Sequence, residues 1–197
     1  LEGLFGLAGR PAEVEQRAVH LLAPARFDMT HLRGDSGAGV AGRSEPILEL
    51  QHDALRGNSG VNNISAQSGN DFLDGRDGDD LLDGGSGNDT IVGGQGNDRI
   101  SGAADHDLLV GGIGSDTFLF VPDAFGGPHG NDLIADYQVG IDQLEFNVID
   151  GINGLSQLNV TQVGGDTLIT YDFVEGSVRL VGVNASVLLA AGDFTFV

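Results

Sequence analysis

The sequence has no cysteine, no lysine and no tryptophan, and only one methionine and two tyrosines. Without cysteine there is no disulfide to staple a small core and no thiolate to bind a metal or attack a substrate. Without lysine, all nine basic residues are arginines, set against 29 acidic residues for a formal charge of −20. That balance excludes nucleic acid as a partner, because phosphate binding needs a basic face. No apolar run approaches the roughly 20 residues that span a bilayer, and no N-terminal signal peptide is visible. Catalytic strings are missing too. There is no His-Glu-x-x-His zinc signature, no phosphate-binding P-loop and no dinucleotide fingerprint after a strand, and no Gly-x-Ser-x-Gly nucleophile turn. The histidines, at 20, 31, 52, 106 and 129, are scattered. The 197 residues suffice for one or two domains, and an opening on Leu1 is expected of a piece of a longer protein.

What the sequence has in abundance is glycine, 33 residues of it, and the glycines keep time. From Ala66 to Leu119 the chain aligns with itself every nine residues, in rows beginning at Ala66, Gly75, Gly84, Gly93, Gly102 and Gly111. The sixth residue of every row is aspartate: Asp71, Asp80, Asp89, Asp98, Asp107 and Asp116. The eighth is always apolar: Leu73, Leu82, Ile91, Ile100, Leu109 and Phe118. The fourth is Gly69, Gly78, Gly87, Gly96, Asp105 and Gly114. A weaker row from Gly57 to Ser65 precedes them, with Gly60, Asn62 and Ile64 at positions four, six and eight. Composition alone would suit an acidic, disordered linker. A linker has no reason to hold an apolar residue at one phase of a fixed period, so the segment is a repeat architecture.

A nine-residue period is too short for a helical repeat, so each row is expected to be a tight turn and a short strand. Position eight points into one apolar ladder, and positions seven and nine face outward, as strand alternation requires. Glycine at positions one (Gly75, Gly84, Gly93, Gly102, Gly111), two (Gly85, Gly94, Gly112) and four is expected to supply positive φ. Turns so bent aim carbonyl oxygens at one point, and the position-six carboxylate of a neighbouring coil adds to them. A cage of hard oxygens suits Ca²⁺ better than Mg²⁺, which gives up its water reluctantly. Two rows make one coil, so Asp71, Asp89 and Asp107 are expected along one edge and Asp80, Asp98 and Asp116 along the other. Same-edge neighbours then form four paired sites (71/89, 89/107, 80/98 and 98/116), with Asn62 and Asp132 extending the ladder at its ends.

The rows Gly84-Gly85-Ser86-Gly87-Asn88-Asp89-Thr90-Ile91-Val92 and Gly93-Gly94-Gln95-Gly96-Asn97-Asp98-Arg99-Ile100-Ser101 resemble the repeat of RTX, or haemolysin-type calcium-binding, proteins. The resemblance implies an all-β fold, a parallel β-roll with several Ca²⁺ ions between adjacent turns. It also implies that the roll is disordered without calcium and that the parent protein leaves the cell by type I secretion. The segment Asp132-Leu133-Ile134-Ala135-Asp136-Tyr137, with Gly140 to Phe146 after it, resembles the part following the roll in serralysin-type proteases and related exoproteins, so the likeness runs over about residues 57–197.

The flanks carry less. Residues 1–56 read as the end of an upstream domain or a cap on the roll, with a short helix over 13–22 and a leading strand at Ile47–Leu50. Gly34-Asp35-Ser36-Gly37 resembles the surroundings of a trypsin-like nucleophile, but too little chain precedes Ser36 to build the barrel that would orient its base. Arg33-Gly34-Asp35 looks like an adhesion tripeptide, which is too short to carry weight. In the row from Gly102, Asp105 stands where glycine is wanted, so calcium sites touching that turn are expected to be weaker; His106 reads as an exposed turn residue rather than a metal ligand. Residues 120–197 read as a β cap, antiparallel, with a hairpin at Gly164-Gly165, a strand over 177–183 and a last strand at Asp193–Val197 that doubles as the export signal. The expected function is a secreted, calcium-binding, non-catalytic module with the type I machinery as partner. The alternatives are the tail of a hydrolase or protease whose catalytic domain lies upstream, and a glycan-binding or adhesin tail.

Overall fold

The computed structural model describes residues 52–120, 130–147, 154–171 and 176–197. The helix expected over 13–22, the strand at Ile47–Leu50 and the Ser36 and Arg33 strings lie outside them. Among the described residues the chain winds as a flattened parallel coil. Strands β1 (Ala54–Arg56), β3 (Phe72–Asp77), β5 (Thr90–Gln95) and β7 (Leu108–Ile113) stack on one side, and β2 (Asn63–Ser65), β4 (Leu81–Ser86), β6 (Arg99–Ala104) and β8 (Thr117–Phe120) on the other. Neighbours in each sheet pair in parallel at a register of 18 residues, such as Leu73 with Ile91 and Leu82 with Ile100. One full turn of the coil is therefore two rows.

The strands are longer than the sequence suggests. Each full repeat strand runs through positions seven, eight, nine, one, two and three, and only positions four to six turn the corner. Position eight is the core. Ile64, Leu73, Leu82, Ile91, Ile100, Leu109 and Phe118 are all 0% exposed, and burying each such side chain contributes about 1.5–3 kcal/mol. Positions seven and nine lie outside this ladder and are mostly half-buried, with Leu81 and Arg99 exposed. Val110, at position nine, is buried instead.

Two short strands carry the roll onward. β9 (Asn131–Ile134) continues the first sheet beside β7, and β10 (Gln143–Phe146) continues the second beside β8, placing Ile134 and Leu144 in the core at 0% exposure. The expected hairpin is present: β11 (Leu158–Val163) and β12 (Asp166–Tyr171) are antiparallel around Gly164-Gly165, with β13 (Ser177–Leu180) antiparallel to β12. The cap is not antiparallel throughout. β13 lies parallel to β9, and β14 (Phe194–Phe196) lies parallel to β10. The strand expected over 177–183 stops at Leu180, and Ala185–Ala191 forms a helix, α1, that the sequence reading lacked. Its ends are conventional: Asn184 Oδ1 accepts the N–H groups of Ser186 and Val187, and Gly192 closes it at φ 77°. Phe146 packs with Phe120, Tyr171, Phe194 and Phe196 at centroid distances of 5.1–6.4 Å, closing the core at this end.

Candidate metal centre

The turns before β3, β5, β7 and β9 form one edge of the roll, and those before β4, β6, β8 and β10 form the other. On the first edge Asp71, Asp89, Asp107 and Asp132 stand in line; on the second, Asp80, Asp98 and Asp116, with Asp142 after them. All eight are buried. Each uses one carboxylate oxygen the same way. Asp71 Oδ1 accepts the backbone N–H of Asp53 at 2.6 Å, Asp89 Oδ1 that of Asp71 at 2.7 Å and Asp107 Oδ1 that of Asp89 at 2.8 Å, and Asp132 Oδ1 takes that of Asp107 at 3.1 Å. The second edge repeats this, with Asn62 N–H to Asp80, Asp80 to Asp98, Asp98 to Asp116 and Asp116 to Asp142. These bonds tie each coil to the next one along.

The other oxygen is different. Oδ2 of Asp71, Asp80, Asp89, Asp98, Asp107 and Asp116 is buried and meets no hydrogen-bond donor. A buried carboxylate oxygen without a donor is costly. Its surroundings add acceptors. A Cβ placed on Gly75 would collide with Asp80 Oδ2 and lie 2.6 Å from the Gly93 carbonyl oxygen; one on Gly84 would meet Asp89 Oδ2 and the Gly102 carbonyl; one on Gly93 would meet Asp98 Oδ2 and the Gly111 carbonyl. Carboxylate and carbonyl thus converge on the space over the position-one glycine. Over Gly102 and Gly111 that space is taken by the carboxylates of Asp107 and Asp116.

This corrects one expectation. Position-one glycines do not take positive φ; positions two and four do, as at Gly94 (φ 119°) and Gly96 (φ 130°). Position one is glycine because the carboxylate fills the space a Cβ would need. At positions two and four both demands apply, since a Cβ on Gly85, Gly87, Gly94, Gly96, Gly112 or Gly114 would overlap a carbonyl of the coil before it. Gly69 and Gly78 share the positive φ. In the irregular row Asp105 adopts the glycine-like angle after all, at φ 76°, with Ala103 at 69°. Its carboxylate accepts the N–H of Gly87, one coil earlier, at 3.1 Å.

Burial raises these carboxyls. Asp89, Asp98, Asp107 and Asp142 are pushed up to about 7, mainly by desolvation, with further pushes from neighbouring aspartates. Asp116 rises to about 6 and Asp132 to about 8, the latter by desolvation and then the charge of Asp107. Asp71 and Asp80 move the same way. Among the described residues no three His, Asp or Glu side chains meet at one point, so a cation here would draw most of its ligands from backbone carbonyls. Unpartnered buried carboxylate oxygens beside carbonyls, with no nitrogen or sulfur ligand, fit a hard oxygen-seeking cation such as Ca²⁺.

The sequence reading missed four features of the edges. Position five carries a second ladder that runs the opposite way. Asn70 Oδ1 accepts the Asn88 N–H at 2.9 Å and Asn88 Oδ1 the His106 N–H at 3.0 Å, while Asp79 and Asn97 do the same for Asn97 and Ser115 on the second edge. The recurring Asn-Asp pair was its signal. His106 is indeed exposed, but it belongs to this ladder: its Nδ1 accepts the Asn131 N–H at 3.0 Å. Asp53 and Leu55 form an earlier rung, ahead of Gly57, with the position-six and position-eight spacing. At the far end Asp136 accepts the N–H groups of Gly111 and Gly112, and Asp142 Oδ2 accepts that of Gln138 at 2.8 Å. This rung is satisfied by protein donors.

A parallel roll of nonapeptide turns with oxygen-lined edges defines a calcium-binding repeat protein, and sequence comparison gives the family. The RTX calcium-binding nonapeptide repeat, in a four-copy form, matches residues 56–91 and 83–118, so this segment consists of RTX calcium-binding repeats and binds several Ca²⁺ ions. No curated protein matches the sequence. Among solved structures, extracellular lipase LipA from Serratia marcescens is similar at 17% identity and a TM-score of 0.34, over 76% of this chain and 41% of the lipase. The AlgE6R3 and AlgE6R2 subunits of the Azotobacter vinelandii mannuronan C5-epimerase are similar at 22% and 23% identity, with TM-scores of 0.42 and 0.40. They are covered to 86% and 94%, by 84% and 75% of this chain. The chain thus spans less than half the length of the lipase.

Proposed function

We propose that this chain is the calcium-triggered folding module of a secreted bacterial protein, non-catalytic itself. The observation that carries the reading is the row of six buried Oδ2 atoms with no donor. Asp71, Asp89 and Asp107 on one edge and Asp80, Asp98 and Asp116 on the other would hold the ions, helped by carbonyls of the glycine turns and, at the end of the first edge, by Asp132. Calcium supplies the positive charge that lets these carboxylates stay ionised out of water. Where calcium is scarce, as in a cytosol, their mutual repulsion keeps the chain extended; where it is millimolar, binding free energy becomes folding free energy.

Export fits this scheme. The terminal residues that would address the chain to a type I machinery form β14 in the folded state, and Asp193 is buried against the Gly140 N–H at 2.8 Å. Recognition of that tail therefore precedes folding. The organisation is a flank over 1–56, a roll over 57–119 with its first rung at Asp53, and a cap over 120–197; a catalytic or adhesive domain upstream would be the passenger. No helix among the described residues is long and apolar enough to cross a membrane. Circular dichroism in chelator and in millimolar calcium tests the reading. β signal that appears only with calcium is expected, and a chain equally β-rich in chelator at neutral pH would sink it.

A further inference from the structure

The cell at the start of the second edge differs from those after it. Over Gly75, Gly84, Gly93, Gly102 and Gly111 the neighbouring side-chain atom is a carboxylate Oδ2. Over Gly57 it is Asn62 Nδ2, 2.9 Å from the place a Cβ would take, with the Gly75 carbonyl oxygen in the same cell. The layout is that of the later cells, with a donor where they have an acceptor.

The Asn62 amide is fully engaged. Nδ2 donates to Asp80 Oδ1 at 2.9 Å, to the Gly60 carbonyl, and to the Asn58 carbonyl at 3.4 Å, while Oδ1 accepts the Asn58 N–H at 3.3 Å. Turning the amide over would set Oδ1 against two carbonyls and a carboxylate. The protein therefore dictates the orientation, with the N–H groups aimed at the oxygens. Asn62 is 6% exposed, so water does not compete for these bonds.

We propose that the Asn62 carboxamide stands in for a calcium ion at this cell, which takes none, so that ion binding on the second edge begins one coil later, at Asp80 and Gly93. The inference rests on the calcium-binding reading above. Its logic is one of charge: where the later cells offer a carboxylate oxygen, this cell offers an N–H donor, which a cation cannot use as a ligand. Two N–H groups on a neutral side chain satisfy the Asp80, Gly60 and Asn58 oxygens without an ion and without adding a charge. They need no ion, so within the folded roll this corner closes whether or not the cells after it are filled.

Bound calcium per chain, measured by equilibrium dialysis and by native mass spectrometry at saturating calcium, tests this on the native chain, Asn62→Asp and Asn62→Ala. Asn62→Asp restores the carboxylate of the later cells and is expected to bind one more ion than the native chain. Asn62→Ala is expected to bind as many ions as the native chain, with a lower melting temperature in calcium. An unchanged count in a folded Asn62→Asp, or one ion lost in Asn62→Ala, would overturn the proposal, the second because it would make the amide oxygen a ligand. A native chain that binds no calcium would overturn instead the reading on which it rests.

Discussion

Removing calcium should turn the aspartate ladders from a scaffold into a pH-dependent load. Burial lifts Asp89, Asp98 and Asp107 from the usual 3.8 to about 7. Three units correspond to at most about 4 kcal/mol for a carboxyl held ionised in a metal-free fold, and several carboxyls bear the load together. A whole domain is stable by only about 5–15 kcal/mol. The sign follows from linkage. A carboxyl whose pKa is higher folded than unfolded binds more protons when folded, so its stabilising effect is complete below about 4 and is lost as pH climbs through 7. In chelator, the chain is expected to be unfolded at pH 7.5 and to regain β signal on acidification toward pH 5, while remaining monomeric by light scattering. Calcium removes the trend, because it holds ionised in the fold the same carboxylates that are ionised in the unfolded chain: the calcium-loaded form should be nearly indifferent to pH from 5 to 8, and the calcium needed for half-folding should fall where acid lets the metal-free chain fold. Far-ultraviolet circular dichroism across a grid of pH and calcium reads both effects. A chelated chain that is β-rich at pH 7.5 and indifferent to pH from 5 to 8 would refute the reasoning.

Three substitutions separate the roles of the repeat positions. Asp98→Asn keeps the bond from the Asp80 N–H to Oδ1 but removes the buried charge; the chelated form should gain up to about 4 kcal/mol while the calcium midpoint rises, and denaturant titrations with and without calcium would show the opposite signs. Gly96→Ala puts a Cβ against the Gly78 carbonyl at φ 130°, so the calcium-loaded melting temperature should drop sharply. Ile91→Ala leaves a hole in the fully buried ladder and should cost about 2–5 kcal/mol in the calcium-loaded state, read from urea unfolding, with the number of bound ions unchanged.

Much of this was open to reading because the repeat chemistry is local. An aspartate at six and an aliphatic at eight, nine residues apart, dictate which side chains enter the coil and which line its edges, and Asp71 to Asp116 fall where that rule puts them. The reason for glycine at position one was not local. Gly93 is excluded from carrying a side chain by Asp98 and by the Gly111 carbonyl of the next coil, which only stacking brings together. The rung at Asp53 was hidden because no glycine of its own row marks it. Asp136 and Asp142 sit off the nine-residue beat and join the edges through loops whose paths the periodicity does not specify. Helix α1 was overlooked because its seven residues, Ala185–Ala191, carry no charged residue at either end and follow a strand pattern, leaving only the caps Asn184 and Gly192 as signals.

Pairing at a separation of 18 residues sets the unit in which such a chain can change length. Losing two rows, for instance 75–92, would join one coil to an equivalent one, keep every later aspartate on its own side, and shorten the roll by a single layer. Losing one row would hand all downstream turns to the opposite edge. β9 with β13, and β10 with β14, lie downstream of such a cut and would move together, so the cap keeps its own contacts in either case. What an odd number of lost rows changes is the sheet that each upstream strand joins: β1 would end up in the sheet that β14 closes and β2 in the one that β13 continues.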